Sequence, residues 1–228
     1  MPRLIARELM DDDTTSGDPT VWRGSLHDLA RVNRLLGGRR LLRLEIDRID
    51  PPPQAILDVA TGNADLPIFM LDHLKERGVT ATCVAVDRSP KVLSIAAERV
   101  AGRADIRLQQ ADATALPFAD KSFDLATIVL AFHHFDGDAA VAVLRELARV
   151  GKNVIVNDLR RSRIAWAFAK YAFPLFTRNR FTLSDGPMSV LRAYTPDEIS
   201  AIAKAAGWAR IAVRKYPGYR MALVGGTA

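Results

Sequence analysis

One cysteine, Cys83, is all that the 228 residues contain, so the chain can close no internal disulfide and offers no cysteine spacing for a structural metal. It also lacks the ~18 consecutive apolar residues that a spanning helix needs. The greasiest run, Ile164 to Phe176, is interrupted by Lys170 and Pro174. The start has no long apolar segment and turns acidic at Glu8, Asp11, Asp12 and Asp13, which argues against a secretory signal. Repeats and low-complexity stretches are missing too. These absences exclude disulfide-stapled, fibrous and membrane-spanning architectures and predict a reduced, cytoplasmic setting.

What is there is an ordinary globular composition, 49% hydrophobic and 25% charged, long enough for one α/β domain with an added segment. The net charge is +6, from 32 Lys and Arg against 26 Asp and Glu. Its placement is uneven. Arg160, Arg161, Arg163, Lys170, Arg178 and Arg180 lie between Leu159 and Ser184, where no acid occurs, so this segment holds a surplus equal to the whole net charge.

Residues 1–20 read as a mobile arm. Ser25 then opens a helical pattern through Leu26, Leu29, Val32, Leu35 and Leu36 that Gly37 and Gly38 interrupt, and Pro51 to Pro53 is a stiff stop. A strict alternation follows. Apolar runs at 55–60, 81–86, 106–108, 123–130 and 153–156 alternate with helical patterns from Leu66 to Arg77, from Ser89-Pro90 onward and from Ala139 to Val150. This is the signature of βαβ units and a parallel, doubly wound sheet. Thr195-Pro196 starts a last helix, and the runs 211–215 and 221–224 predict an antiparallel hairpin at the sheet edge. The expected fold is therefore a Rossmann-like α/β domain. An arm and cap helix occupy 1–50, and the domain itself occupies 51–228 with a cap insertion at about 161–194.

In such sheets a ligand sits beyond the carboxyl ends of the strands. The first exit, Asp58 to Asp65, is a small-residue turn that lets a ligand approach backbone N–H groups at a helix start. The second places Asp87 29 residues after Asp58, where a carboxylate can accept two hydrogen bonds from a ribose diol. At the third and fourth exits, Asp112-Ala113, Leu116-Pro117-Phe118 and Ser122-Phe123-Asp124 resemble the class I S-adenosylmethionine-dependent methyltransferases. The resemblance covers residues 54–160 and extends to the edge hairpin, giving a seven-stranded sheet. Ala60 and Ala64 depart from it, standing where the family more often has glycine.

The resemblance implies S-adenosylmethionine as cofactor and a role for each matching position. Asp58, Ala60, Thr61 and Gly62 would line its methionine and ribose part, and Asp87 would hold the ribose hydroxyls. Arg88 would flank the adenine, Asp112 and Ala113 would meet its amine and a ring nitrogen, and Leu130 would lie near the sulfonium. His133 and His134 follow the fourth strand and Asp158 ends the fifth, so an imidazole and a carboxylate can converge on the transferred methyl. Of the two histidines His133 is taken as the base, with Asp158 orienting it; no metal ligands are expected.

The Arg161–Tyr194 insertion, with Trp166, Phe168, Tyr171, Phe173, Leu175, Phe176 and Phe181, reads as an aromatic wall that selects the acceptor together with Asn33 and Arg34. Residues 184–186 and 192–195 read as loops facing the pocket. The "ELMDD" start at Glu8 and "NDLRRS" at Asn157 resemble small-molecule O-methyltransferases acting on polyketide-derived phenols and phenolic lipids. The main expectation is thus O-methylation of a small hydroxylated aromatic. Carbon methylation of a quinone-type ring is the alternative within the superfamily, and nucleic-acid binding is the competing class suggested by the basic balance alone. Peripheral contact of the basic, apolar cap with a membrane surface is a further expectation; the oligomeric state stays open.

Overall fold

The computed structural model describes residues 1–6, 8–9 and 18–227. Seven strands form one sheet in the order β3-β2-β1-β4-β5-β7-β6. They are β1 (Ala55–Val59), β2 (Thr82–Asp87), β3 (Ile106–Gln110), β4 (Phe123–Val129), β5 (Gly151–Leu159), β6 (Arg210–Tyr216) and β7 (Arg220–Gly226). The first five run parallel, and β7 inserts antiparallel between β5 and β6. The expected alternation and edge hairpin are present, with boundaries moved by a few residues.

Period-two alternation divides the core between the two faces. Leu57 and Val59 of β1 pack with helices α5 (Gly137–Val150) and α8 (Pro196–Ala205), whereas Ile56 packs with α2 (Gly38–Ile46) and α3 (Asp65–Glu76). Helix starts follow their caps: Ser89 Oγ accepts from Val92 N–H at the head of α4 (Pro90–Arg99), and Thr195 and Glu198 form a capping box on α8. Helix α2 was not expected; its Leu41, Leu42 and Ile46 are fully buried.

Three helical pieces stand over the carboxyl ends of the strands. Helix α1 (Pro19–Leu35) is capped by Asp18, begins before the expected Ser25, and packs on α7 (Arg180–Arg192) through Trp22 edge-on to Phe181 at 5.4 Å. Helix α6 (Arg163–Ala172) leads through a short 3-10 turn at Phe173–Leu175 toward α7. Residues 184–186 therefore lie inside α7, not in a loop, because Asn179 caps a helix that runs on past Pro187.

The described part of the first nine residues is a docked strap, not a mobile arm. Leu4 N–H donates to Leu191 C=O at 3.1 Å and Leu9 N–H to the Asp185 carboxylate at 3.0 Å. Arg3 pairs with Asp136, donates to the carbonyls of Arg192 and His133 at 2.6 and 3.0 Å, and covers the Tyr194 ring. Asp11, Asp12 and Asp13 lie outside the described residues. Among the described residues no helix is long and apolar enough to cross a membrane.

Candidate active site

A cavity of about 860 Å³ lies between the strand ends and the cap. That is near the upper end of the ~300–1,000 Å³ of small-molecule sites, so there is room for two ligands side by side. All nine residues expected at the cofactor line it: Asp58, Ala60, Thr61, Gly62, Asp87, Arg88, Asp112, Ala113 and Leu130.

The β1–α3 turn shapes one end. Its backbone is left-handed at Ala60, Gly62 and Ala64, with φ of 55°, 58° and 57°. Thr61 N–H donates to Val86 C=O at 3.0 Å, and Gly62 N–H donates to Asp87 Oδ2 at 3.2 Å. Asp87 Oδ1 accepts from Ser89 N–H at 3.1 Å, so one carboxylate ties the first two strand exits together. Asp58 is buried and accepts from Thr127 Oγ1 at 2.6 Å. Burial pushes its carboxyl up to about 7, and burial also raises Asp87. Asp112 is exposed and held below the usual carboxylate range by the Thr114 hydroxyl and N–H.

The other end holds a histidine on a carboxylate. A 3-10 turn over Phe132–His134 aims His133 inward, where it is 2% exposed. Its backbone N–H donates to Asp158 Oδ2 and its Nδ1 meets Asp158 Oδ1, both at 2.8 Å. Burial alone would raise Asp158, but the His133 charge and hydrogen bond, with the N–H groups of Leu159 and His133, hold it below its ordinary value. With Nδ1 so engaged, His133 Nε2 is buried without a hydrogen bond. Glu8 Oε1, brought in by the strap, stands 3.6 Å from it.

Three comparisons bear on what this site belongs to. Residues 56–153 match the family described as a methyltransferase domain. The demethylmenaquinone methyltransferase of Thermus thermophilus is 37% identical over 133 residues, 56% of this chain and 59% of that protein. In that alignment the chain spans little more than half of its relative. The demethylmenaquinone methyltransferase of Thermotoga maritima is 32% identical over 170 residues, covering 68% of this chain and 70% of the relative. The chain belongs to the class I S-adenosylmethionine-dependent methyltransferases. In fold it is similar to human N-acetylserotonin methyltransferase in complex with S-adenosylmethionine, with a TM-score of 0.72 at 13% identity, covering 99% of this chain and 60% of that one.

The methyltransferase cofactor fits the turn end on the chemistry present. Asp58, Asp87 and Asp112 line that end with Arg88 among them, an acidic environment for a ligand carrying a sulfonium, an ammonium and a ribose diol. Thr61 Oγ1 is buried there beside the Asp58 carboxyl. Both relatives are named for methylation of demethylmenaquinone.

Other expectations need correction. Of the aromatic wall only Phe168 and Phe173 line the cavity; Phe181 is spent on Trp22, while Tyr171, Leu175 and Phe176 face outward. Asn33 lines the cavity but Arg34 is exposed outside it. Tyr194 faces the core, donating its hydroxyl to Phe135 C=O at 2.6 Å. No metal ligands were expected, yet Glu8, His133 and His134 bring ligand-type atoms within 4.8 Å of one another. The Arg192 guanidinium, 3.7 Å from Glu8 Oε1, already supplies positive charge at that cluster. Sequence reasoning missed two buried charges, Glu8 and Arg220. Arg220 donates to Asn33 Oδ1 at 3.1 Å and Asn157 Oδ1 at 3.3 Å, behind the site.

Proposed function

We propose that the chain methylates a ring carbon of a small, apolar hydroquinone-type acceptor, with His133 as general base. The observation that carries the reading is His133 itself: one ring nitrogen fixed by a buried carboxylate, the other buried at the cavity without a hydrogen bond. A phenolic hydroxyl titrates near ~10, so at neutral pH about one molecule in a thousand is ionised, a deficit of ~4 kcal/mol. His133 Nε2 removes that proton, and Asp158 keeps the tautomer that leaves Nε2 able to accept it and stabilises the imidazolium. The electron pair released on oxygen is shared with the ring carbon beside it, which becomes the nucleophile. Bound S-adenosylmethionine supplies an electrophilic methyl group. The proton on the methylated carbon then passes to water while His133 returns its proton to the oxygen, which restores the aromatic ring and its hydroxyl.

In this reading the cofactor is held by Asp58, Ala60, Thr61, Gly62, Asp87, Arg88, Asp112, Ala113 and Leu130, with the Asp87 carboxylate on the ribose. Glu8 faces the acceptor. Its carboxyl is pushed up to about 7 by burial, opposed by the charges of His134 and Arg192, so at neutral pH it can donate to or accept from a second acceptor hydroxyl. The names of the relatives support the quinone-type ring. The "HH" exit supports a second reading, transfer to the hydroxyl oxygen itself, since the same proton removal serves both.

The experiment is incubation with methyl-¹³C S-adenosylmethionine and a panel of naphthohydroquinones, benzohydroquinones, resorcinols and RNA, with the label located by carbon NMR. A carbon-bound methyl is expected. An oxygen-bound methyl would transfer the assignment to the second reading, and RNA as the one labelled product would overturn both.

A further inference from the structure

Helix α6 is built inside out. Its buried positions are alanines, Ala165 and Ala169, which pack with Val190 of α7 beside a half-buried Trp166, while its other large apolar side chains point to solvent. Ile164, Phe168, Tyr171 and Leu175 recur at intervals of four, three and four residues, the spacing of a single helical face. They are 67%, 47%, 67% and 80% exposed, and Phe176 beside them is 64% exposed. A helix that merely closes a pocket would place these groups inward, where burial is favourable, and its alanines outward. A contiguous exposed apolar patch of this kind marks a surface that docks on something apolar.

The charge around the patch says what that is. Arg163, Lys170, Arg178 and Arg180 are exposed, and no Asp or Glu occurs from Leu159 to Ser184. Lys170 Nζ lies 5.6 Å from the centre of the exposed Tyr171 ring, an aromatic and a cation side by side as at a lipid headgroup. Phe168 belongs both to the exposed face and to the cavity wall, so the patch is continuous with the mouth of the site.

We infer that α6 and the turn after it seat the protein on the surface of an anionic lipid bilayer, with the cavity mouth toward the lipid. Apolar side chains enter the acyl boundary while the surrounding cations meet phosphate headgroups, the two forces that together hold an interfacial helix. An apolar acceptor could then pass from the bilayer into the cavity without crossing water. The docking surface is independent of which ring atom is methylated, because it is read by binding alone.

The test is co-sedimentation of the full chain with sucrose-loaded vesicles of phosphatidylglycerol and phosphatidylcholine, against pure phosphatidylcholine. Partitioning at least ~10-fold stronger onto the anionic vesicles, weakening with salt, is expected. The variant I164S/L175S/F176S, whose three positions lie outside the cavity wall, should lose at least ~10-fold in partitioning while keeping its affinity for S-adenosylhomocysteine. Should that variant not fold, the single variants L175S and F176S, at exposed positions outside the cavity wall, should each lower the partitioning and give the same answer. Equal partitioning of parent and folded variant, or no partitioning onto anionic vesicles at low salt, would overturn the inference. So would a parent dimer that the triple variant dissociates without vesicle binding, since a second copy would then cover the face.

Discussion

Replacing His133 by alanine removes the base and leaves the cofactor residues intact, because the imidazole is held by Asp158 and by none of them. We expect turnover to fall at least ~10²-fold with the dissociation constant for S-adenosylhomocysteine unchanged. Asp158→Asn should approach the same loss: an amide can donate to Nδ1 and trap the tautomer whose Nε2 carries the proton. Parent-like turnover in both variants would remove the dyad from the mechanism. Asp87→Ala should act on affinity, weakening S-adenosylhomocysteine by at least ~10-fold in calorimetric titration, since its oxygens also order the Gly62 and Ser89 N–H groups. The residues legible in sequence were those at strand exits, where position follows from topology. Glu8 was not, because nothing local shows that an acidic stretch before the first helix will have one carboxylate folded back 3.6 Å from an imidazole. Arg220 was hidden for a different reason: a strand pattern reports its apolar partners and is silent about a charge that Asn33 and Asn157 satisfy from afar.

At the scale of the element, the β1–α3 turn combines cofactor geometry with strain. Ala60 sits at φ 55°, a conformation that costs a residue with a Cβ ~1–2 kcal/mol. Glycine there relieves this but gains chain freedom worth ~0.5–1 kcal/mol in the unfolded state. Ala60→Gly should therefore stabilise by ~0.5–1 kcal/mol and raise Tm by ~1–4 °C, with cofactor affinity retained. Ala64→Gly should not, although its φ is 57°, because its methyl is fully buried among the α2 and α3 side chains and is lost with the substitution. Equal Tm shifts for the two would show that the turn is not strained as described. Strands and capped helices were legible because periodicity and caps are local signals. Helix α6 was half legible: its aromatics were visible, but which face turns inward depends on Val190 and α7, and the sequence pattern alone pointed the large groups at the pocket.

For the whole molecule, burial of acids sets an unusual dependence on pH. Asp58 moves from 3.8 and Glu8 from 4.5 to about 7, both through desolvation. Between roughly pH 4 and 7 the folded chain holds protons at these two sites that the unfolded chain has released, so stability falls as pH rises through this window. The opposing groups, such as Asp112 and Asp158, are lowered from 3.8, so the stability they contribute is lost only below that window. The cofactor-free protein should therefore melt at a higher temperature at pH 5.5 than at pH 8. Asp58→Asn should flatten that slope, because an amide is neutral in both states. S-adenosylmethionine should also flatten it, since a cation at the acidic end favours the ionised carboxylates and stabilises most at high pH; at 100 times its dissociation constant it adds ~2.7 kcal/mol. Scanning calorimetry at pH 5.5 and 8, with and without ligand, reads all three effects. A parent chain whose Tm rises from pH 5.5 to 8 would mean that Asp58 and Glu8 are ionised in the folded state. Glu8 would then face the acceptor as a fixed carboxylate, able to accept a hydrogen bond from its second hydroxyl but not to donate one.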